Sequence, residues 1–172
     1  VGALGAAAFA GAATYVPASE RPLLDRWMIS KAETATREVT RHLEEMNILS
    51  AAQTLHGLVD MLSNWYVRCS RDRFWKSEKD ADKRAAYWTL YETLTRLALL
   101  MAPFTPYMAE ELYQELAREL WPESLPESVH LCEWPVADEA AIDRDVETQM
   151  DLVREIASLG LSARAAEKLK VR

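Results

Sequence analysis

The sequence predicts an all-α fold, an antiparallel bundle of four long helices with a small C-terminal helical extension. Three observations support this. Only five of the 172 residues are glycine, apolar residues recur at helical spacing, and helix-start and helix-stop residues separate the periodic segments. We divide the chain into an N-terminal segment 1–18 that is packed or frayed, a helix bundle 19–121, and an irregular connector with a helical extension, 122–172.

The first two predicted helices are long and amphipathic. The first opens at Pro22, which is favourable in a first helical turn, and ends at Asn47. The second begins with a capping box, in which Ser50 and Gln53 would satisfy each other's free backbone donors. We expect this second helix to run without interruption to about Trp75.

The next two helices are separated by a proline-rich turn. The third starts near Asp82 and stops at Pro103, because proline disfavours helix in the residue before it. The fourth starts with Thr105 as its N-cap and Pro106 in its first turn, and it reaches about Leu120.

The segment after the fourth helix changes character. Prolines 122, 126 and 135 forbid a long helix there, and residues 128–132 are predicted to form a short extended piece. A fifth helix begins at about Ile142 and is predicted to end at Gly160, which suits a C-terminal cap. Residues 162–172 are predicted to be a short basic helix that runs into the start of a strand.

Several classes of function find no support in the sequence. Cys69 and Cys132 lie far apart without metal-ligand spacing, so we predict no metal site and no disulfide, and a cytoplasmic location. Residues 1–13 lack the basic start of a signal peptide and the length of a membrane span, so no membrane partner is predicted. No phosphate-loop, metalloprotease or nucleophile-elbow motif occurs, and no catalytic residue is predicted.

The charge is distributed unevenly along the chain. The net charge is −7, yet residues 68–84 carry seven Lys/Arg against four acids, which leaves +3. Residues 109–155 carry fourteen acids and three arginines, which leaves −11. This asymmetry indicates an acidic back and a local basic contact surface.

The basic surface centres on residues 64–75, which combine three arginines with four aromatic rings. At about 100° per residue, four side chains gather on the outward face, and planar cations beside an indole suit phosphate contact and base stacking. These predicted RNA-binding residues are Asn64, Arg68, Arg71 and Trp75. The opposite, buried stripe is predicted to hold Leu55, Val59, Leu62, Tyr66 and Cys69. Arg73 falls on that stripe, so we expect it to form a buried ion pair with a carboxylate.

Three motifs occur in order at fitting distances: 21–27 (RPLLDRW), 64–75 (NWYVRCSRDRFW) and 101–113 (MAPFTPYMAEELY). Together they resemble the helical anticodon-binding domain of class I aminoacyl-tRNA synthetases, and most of all the isoleucine-specific members. The pieces 128–131 (SVHL), 134–135 (WP) and 170–172 (KVR) agree with this resemblance, which covers about residues 19–172.

The resemblance implies a role within a larger enzyme that joins isoleucine to its tRNA with ATP and magnesium. This segment would hold the anticodon stem and loop of the tRNA, and the catalytic and editing domains would lie elsewhere in the same polypeptide. The family's nucleotide-binding and adenylate-forming signatures are missing from this sequence, so we expect no cofactor and no catalytic site in the segment itself. Cys69 also departs from the family, which usually has another arginine there.

Two alternatives to the isoleucine assignment stay open. The domain could come from a valine or leucine enzyme, because the catalytic pocket that selects the amino acid lies outside these residues. The chain could also be a helical protein-interaction scaffold with no RNA role, in which the same arginines meet the carboxylates of a neighbouring domain. For Arg68 and Arg71, a plainer alternative is surface ion pairing with acids such as Asp72.

Overall fold

The computed structural model describes residues 15–78, 80–118 and 125–168, which contain helices and loops and no β-strand. The all-α prediction is therefore confirmed for the described part of the chain. The chain divides into two compact units, residues 1–142 and 143–172. Residues 1–14 and the predicted junction at 121/122 lie outside the described residues, and the predicted boundaries at 18/19 and 121/122 stay predictions.

The helical elements reproduce most of the predicted order. The α-helices are α1 (Leu23–Glu44), α2 (Ile48–Asp60), α3 (Arg71–Trp75), α4 (Ala81–Met101), α5 (Pro106–Tyr113) and α6 (Arg144–Ala166). Two π-helical segments, Met61–Val67 and Gln114–Arg118, directly follow α2 and α5. Short 3₁₀ turns occupy Ala18–Glu20, Val129–Leu131 and Glu139–Ala141.

The core of the first unit forms where α1 packs against α2 and α4, and where α4 packs against α5. Trp27, Met28 and Val39 of α1 are fully buried there, together with Leu58 of α2 and Leu100 of α4. Burying a side chain of this size stabilises a fold by about 1.5–3 kcal/mol. The helical spacing seen in the sequence therefore identifies the inward face of α1 correctly.

Buried ion pairs join the helices at defined positions. The Arg21 guanidinium, whose side chain is fully buried, donates to both carboxylate oxygens of Glu92 in α4, at 2.8 and 2.9 Å. Arg96 of α4 lies 2.7 Å from the Glu33 carboxylate of α1. Burial raises the pKa of Glu33, against the opposing effects of the Arg96 charge and the hydrogen bond from the Asp138 N–H. Because each pair tolerates only one geometry, the pairs fix how the helices lie along one another.

The predicted capping box at Ser50 is wrong. Helix α2 begins at Ile48, and its N-cap is Asn47, whose side-chain oxygen accepts a hydrogen bond from the Ser50 N–H at 3.2 Å. The chain reverses between α1 and α2 through Met46, which has a positive φ of 58°. A left-handed residue followed by an asparagine cap thus places the turn about three residues earlier than the sequence pattern predicts.

The prediction of one continuous helix from Ser50 to Trp75 is also wrong. The α-helical turns of α2 give way to the π-helical segment at Met61, and a turn at Ser70 separates that helix from α3. Wider π turns shift the inward face, since each hydrogen bond reaches one residue further along the chain than in an α-helix. The residues that are buried along this stretch are Ala51, Leu55, Leu58, Leu62, Tyr66 and Ser70.

Two members of the predicted buried stripe are exposed instead. Val59 is 40% exposed and Cys69 is exposed. A stripe drawn at 100° per residue ignores the π turns, which accounts for Cys69 because it follows them, whereas Val59 lies in α2 before they begin. Leu55, Leu62 and Tyr66 are buried as predicted.

The connector after α5 is held by side-chain hydrogen bonds. Residues 129–131 form a 3₁₀ turn, so the predicted extended piece at 128–132 is wrong. Glu110 of α5 accepts hydrogen bonds from the Ser128 hydroxyl at 2.8 Å and the Val129 N–H at 3.0 Å. The Tyr113 hydroxyl donates to the Pro126 carbonyl at 2.7 Å. These bonds favour a tight turn over an extended strand.

The second unit consists largely of α6. Asp143 caps the helix by accepting a hydrogen bond from the Val146 N–H at 3.1 Å. The helix continues through Gly160 to Ala166, so the predicted C-terminal cap at Gly160 is wrong. The predicted strand start at the end of the chain falls on residues 169–172, outside the described residues.

Candidate nucleic-acid interface

The four predicted RNA-binding side chains lie on consecutive helical segments and all are exposed. Asn64 belongs to the π-helical segment, Arg68 directly follows it, and Arg71 and Trp75 lie on α3. Trp75 is 79% exposed, which is unusual for so large an apolar side chain. An exposed indole of this kind offers a flat face on which a nucleobase can stack.

The two arginines of this set are free to meet a ligand. Neither Arg68 nor Arg71 makes a hydrogen bond or an ion pair with any of the described residues. Asp72 therefore forms no ion pair with either arginine among the described residues, which contradicts the plainer alternative. Asn64 differs, because its side-chain amide donates to the Asp60 carboxylate at 2.7 Å.

Arg73, which lies between Arg71 and Trp75 in the sequence, points inward. Its guanidinium donates to both oxygens of Asp25 in α1, at 2.8 and 2.7 Å, which confirms the predicted ion pair with a carboxylate. The Asp25 side chain is fully buried, and it also accepts a hydrogen bond from the Tyr66 hydroxyl at 2.6 Å. Arg73 further lies 2.8 Å from the Asp82 carboxylate at the start of α4.

This arrangement changes how strongly two of its members hold their protons. Burial alone lowers the pKa of Arg73, but the hydrogen bonds and charge of Asp25 outweigh it and raise that pKa overall. Burial, followed by the negative charge of Asp25, raises the pKa of the Tyr66 hydroxyl. Both groups therefore stay protonated as donors to Asp25 at neutral pH.

Most of the other basic side chains in this region are already occupied. The Lys76 ammonium lies 2.7 Å from Asp80 and 3.0 Å from Asp82, and the Lys83 ammonium donates to the Lys76 carbonyl at 2.6 Å. Lys79 lies outside the described residues. Among the described residues from Arg68 to Lys83, the cations that remain without a partner are thus Arg68 and Arg71. Fewer basic side chains are available to a ligand than the net charge of residues 68–84 suggests.

The described residues show no sign of two other kinds of site. They contain no group of three or more His, Cys, Asp or Glu side chains placed to hold a metal ion. None of the helices among residues 15–78, 80–118 and 125–168 is long and apolar enough to cross a membrane.

Comparison with known proteins assigns the chain to a family. The profile of the family described as "Anticodon-binding domain of tRNA ligase" matches residues 25–172. The chain belongs to this family. The resemblance that the three sequence motifs carried is thereby confirmed, and the exposed arginines lie inside the matched region.

Curated relatives of this anticodon-binding domain are isoleucine–tRNA ligases. One from Dehalococcoides mccartyi is 48% identical over 153 residues, which cover 89% of this chain and 15% of the relative. One from Clostridium novyi is 46% identical over 150 residues, 87% of this chain and 14% of the relative. One from Thermus thermophilus is 44% identical over 157 residues, 91% of this chain and 15% of the relative. The chain thus spans about 15% of the length of these curated relatives.

Sequence reasoning missed two residues of the anticodon-binding domain that build this surface. Asp25 lies in the first motif, but its role as the partner of Arg73 spans 48 positions and becomes visible only in the fold. The helical spacing predicts that Tyr66 lies on the buried stripe but gives no sign of the hydrogen bond from its hydroxyl to Asp25. A tyrosine on a buried face is a usable signal, because a buried hydroxyl normally finds a hydrogen-bond partner.

Proposed function

We propose that this chain is the tRNA-binding segment of an isoleucine–tRNA ligase and holds the anticodon stem and loop of an isoleucine tRNA. The observation that carries the proposal is the surface of Arg68, Arg71 and Trp75, exposed and without partners among the described residues, in a chain that belongs to this family. Unpaired arginines suit contact with the RNA backbone. The free indole suits an unstacked base of a loop, which is how proteins usually read single-stranded RNA.

The chemistry of ligation is assigned to other parts of the polypeptide. The whole enzyme would join isoleucine to its tRNA with ATP and magnesium, in catalytic and editing domains that these residues do not include. Magnesium, which proteins usually hold through one or two carboxylates together with substrate phosphates, is assigned to those other domains with ATP. We place the enzyme in the cytoplasm, which agrees with two unpaired cysteines, Cys69 and Cys132.

A binding titration of the chain with an isoleucine tRNA transcript at low salt tests the contact surface. The Arg68→Ala/Arg71→Ala variant should bind about tenfold more weakly. In addition, its plot of log affinity against log salt should be shallower by about 1.4–1.8, since two phosphate contacts are lost. If neither the tRNA affinity nor its salt dependence differs from the wild type, Arg68 and Arg71 do not contact the tRNA and this assignment is wrong.

A matched control separates specific contact from overall charge. The Arg37→Ala/Arg41→Ala variant removes the same two charges from α1, where both arginines already pair with glutamates. We expect its tRNA affinity to stay within about twofold of the wild type, because these pairs are exposed and leave little free charge for RNA. An equal loss in both variants would show that only net charge matters.

The same titration distinguishes the alternatives. Comparison of isoleucine tRNA with valine and leucine tRNAs tests the amino-acid assignment, since a clear preference for one of the other two would move the chain to that enzyme. If the chain is instead a protein-interaction scaffold, the affinity for tRNA should be low and independent of Arg68 and Arg71.

A further inference from the structure

Helix α3 is too short to be stable without contacts to the rest of the fold. It contains only five residues, from Arg71 to Trp75. Isolated helices shorter than about 12 residues are not stable in water, because too few hydrogen bonds offset the cost of nucleation. The placement of Arg71 and Trp75 therefore depends on the contacts that α3 makes with the rest of the first unit.

Those contacts centre on Arg73. Its guanidinium donates to both oxygens of Asp25 in α1 and to the Asp82 carbonyl at 2.9 Å, and it also lies 2.8 Å from the Asp82 carboxylate. One side chain thus connects α3 to α1 and to the first turn of α4. A planar guanidinium that is bound on several edges leaves the helix little freedom to turn.

The two faces of α3 have separate roles. Arg73 is 200° around the helix from Arg71 at 100° per residue, whereas Trp75 is four positions from Arg71 and shares its side. Phe74 adds a contact to α4, with its ring centroid 5.2 Å from that of the half-exposed Tyr87 in an edge-to-face arrangement. The outer face carries Arg71 and the 79% exposed Trp75.

We propose that Arg73, gripped by Asp25 and Asp82, is a positioning residue for the RNA surface, and this inference rests on the proposed function. Arg73 does not touch RNA. It fixes α3 so that Arg71 and Trp75 are already in place when RNA arrives, and the RNA does not have to order the helix itself. Preorganisation of this kind strengthens binding by removing the entropic cost of ordering from the binding step.

The Arg73→Lys variant of the 172-residue chain tests the proposal, because lysine keeps the charge but cannot form the two-pronged contact with Asp25. We expect binding of an isoleucine tRNA transcript to weaken by about fivefold. The salt dependence should also become shallower by about 0.7–0.9, the contribution of the one phosphate contact that Arg71 no longer makes. A purely structural role would not change the number of phosphate contacts.

The chain offers a matched control in Arg96. Its side chain is 11% exposed against 16% for Arg73, and it forms a comparable pair with Glu33 at 2.7 Å, on helices α4 and α1. We expect Arg96→Lys to lower the melting temperature while leaving tRNA affinity and salt dependence unchanged. If both lysine variants weaken tRNA binding equally, Arg73 has only a structural role and the proposal is overturned.

A double-mutant comparison tests whether Arg73 acts through α3. In a chain that already carries Arg71→Ala and Trp75→Ala, the further change Arg73→Lys should have no additional effect on tRNA affinity, since the residues it positions are gone. The same loss in both backgrounds would overturn the proposal.

A milder variant keeps the proposal testable if Arg73→Lys does not fold. Asp82→Asn removes the partly exposed carboxylate from its contact with Arg73, where the Asp82 side chain is 40% exposed, and it also leaves Lys76 paired with Asp80 alone. Loss of an acidic charge alone would strengthen RNA binding, whereas loss of positioning weakens it, and we expect tRNA binding about twofold weaker. Stronger or unchanged binding would overturn the proposal.

The outcomes also separate this inference from the proposed function. If Arg68→Ala/Arg71→Ala leaves tRNA binding unchanged, the RNA surface itself is wrong. If that variant weakens tRNA binding and Arg73→Lys does not, the RNA surface is supported and the positioning role of Arg73 is refuted.

Discussion

The Tyr66→Phe substitution isolates the hydroxyl contact beneath the candidate interface. The ring is fully buried and would be retained, so no cavity forms. The lost hydroxyl donates to the fully buried Asp25 carboxylate at 2.6 Å and, over a longer distance of 3.3 Å, to the Ala86 carbonyl. Hydrogen bonds to a charged partner contribute about 1.5–3 kcal/mol to the free energy of unfolding, and we expect a loss in that range.

The control is Tyr113→Phe, which removes the hydroxyl of another fully buried tyrosine from the same unit. Its partner is the neutral Pro126 carbonyl at 2.7 Å, so the expected loss is only about 0.5–1.5 kcal/mol. Urea unfolding followed by far-UV circular dichroism gives the midpoint and the slope m. A difference of about 1 kcal/mol between the variants separates their midpoints by about 0.5 M when m is about 2 kcal/mol/M. A Tyr66→Phe loss equal to or smaller than the Tyr113→Phe loss, at unchanged m, would refute the assignment of a charge-assisted bond.

Two further predictions concern helix ends. Asn47→Ala should lower the free energy of unfolding by about 1 kcal/mol because Asn47 caps α2, whereas Ser50→Ala should leave it nearly unchanged. If the same urea experiment shows the larger loss for Ser50→Ala, Ser50 is the N-cap after all. Gly160→Ala should raise the free energy of unfolding of the second unit by about 0.5–1 kcal/mol. Gly160 lies within α6, and a Cβ added there meets no atom within 4 Å. Destabilisation at Gly160 would instead indicate that the helix ends there.

The sequence predicts most helices but misses where their geometry changes. Helices α1 and α4 follow from apolar spacing and from Pro22 and Pro103 at their boundaries, because these signals are local. The π turns after Met61 carry no comparable signal, since they depend on how the helix packs against its neighbours. For this reason the helical spacing predicts that Cys69 is buried, whereas the structure shows it exposed.

The candidate interface shows the same division between local and long-range information. Helical sorting of residues 64–75 was enough to identify Arg68, Arg71 and Trp75 as outward and Arg73 as inward, although the wheel assumed a continuous α-helix. It could not identify Asp25, which lies in α1, or the pairing of Lys76 with Asp80 and Asp82. Which cations remain available for RNA is decided by these contacts and not by the composition of the segment.

The buried pair of Asp25 and Arg73 is better explained by specificity than by stability. Apolar residues of similar size often stabilise a core as well as a buried ion pair does, because the pair must first be stripped of water. Apolar contacts, however, have no preferred direction and would allow a five-residue helix to rotate or slide. A guanidinium that must meet two carboxylates and a backbone carbonyl admits a single orientation of α3, and the orientation of α3 determines where Arg71 and Trp75 point. Arg73 therefore packs inside the fold and, by fixing α3, makes Arg71 and Trp75 face outward in a defined geometry.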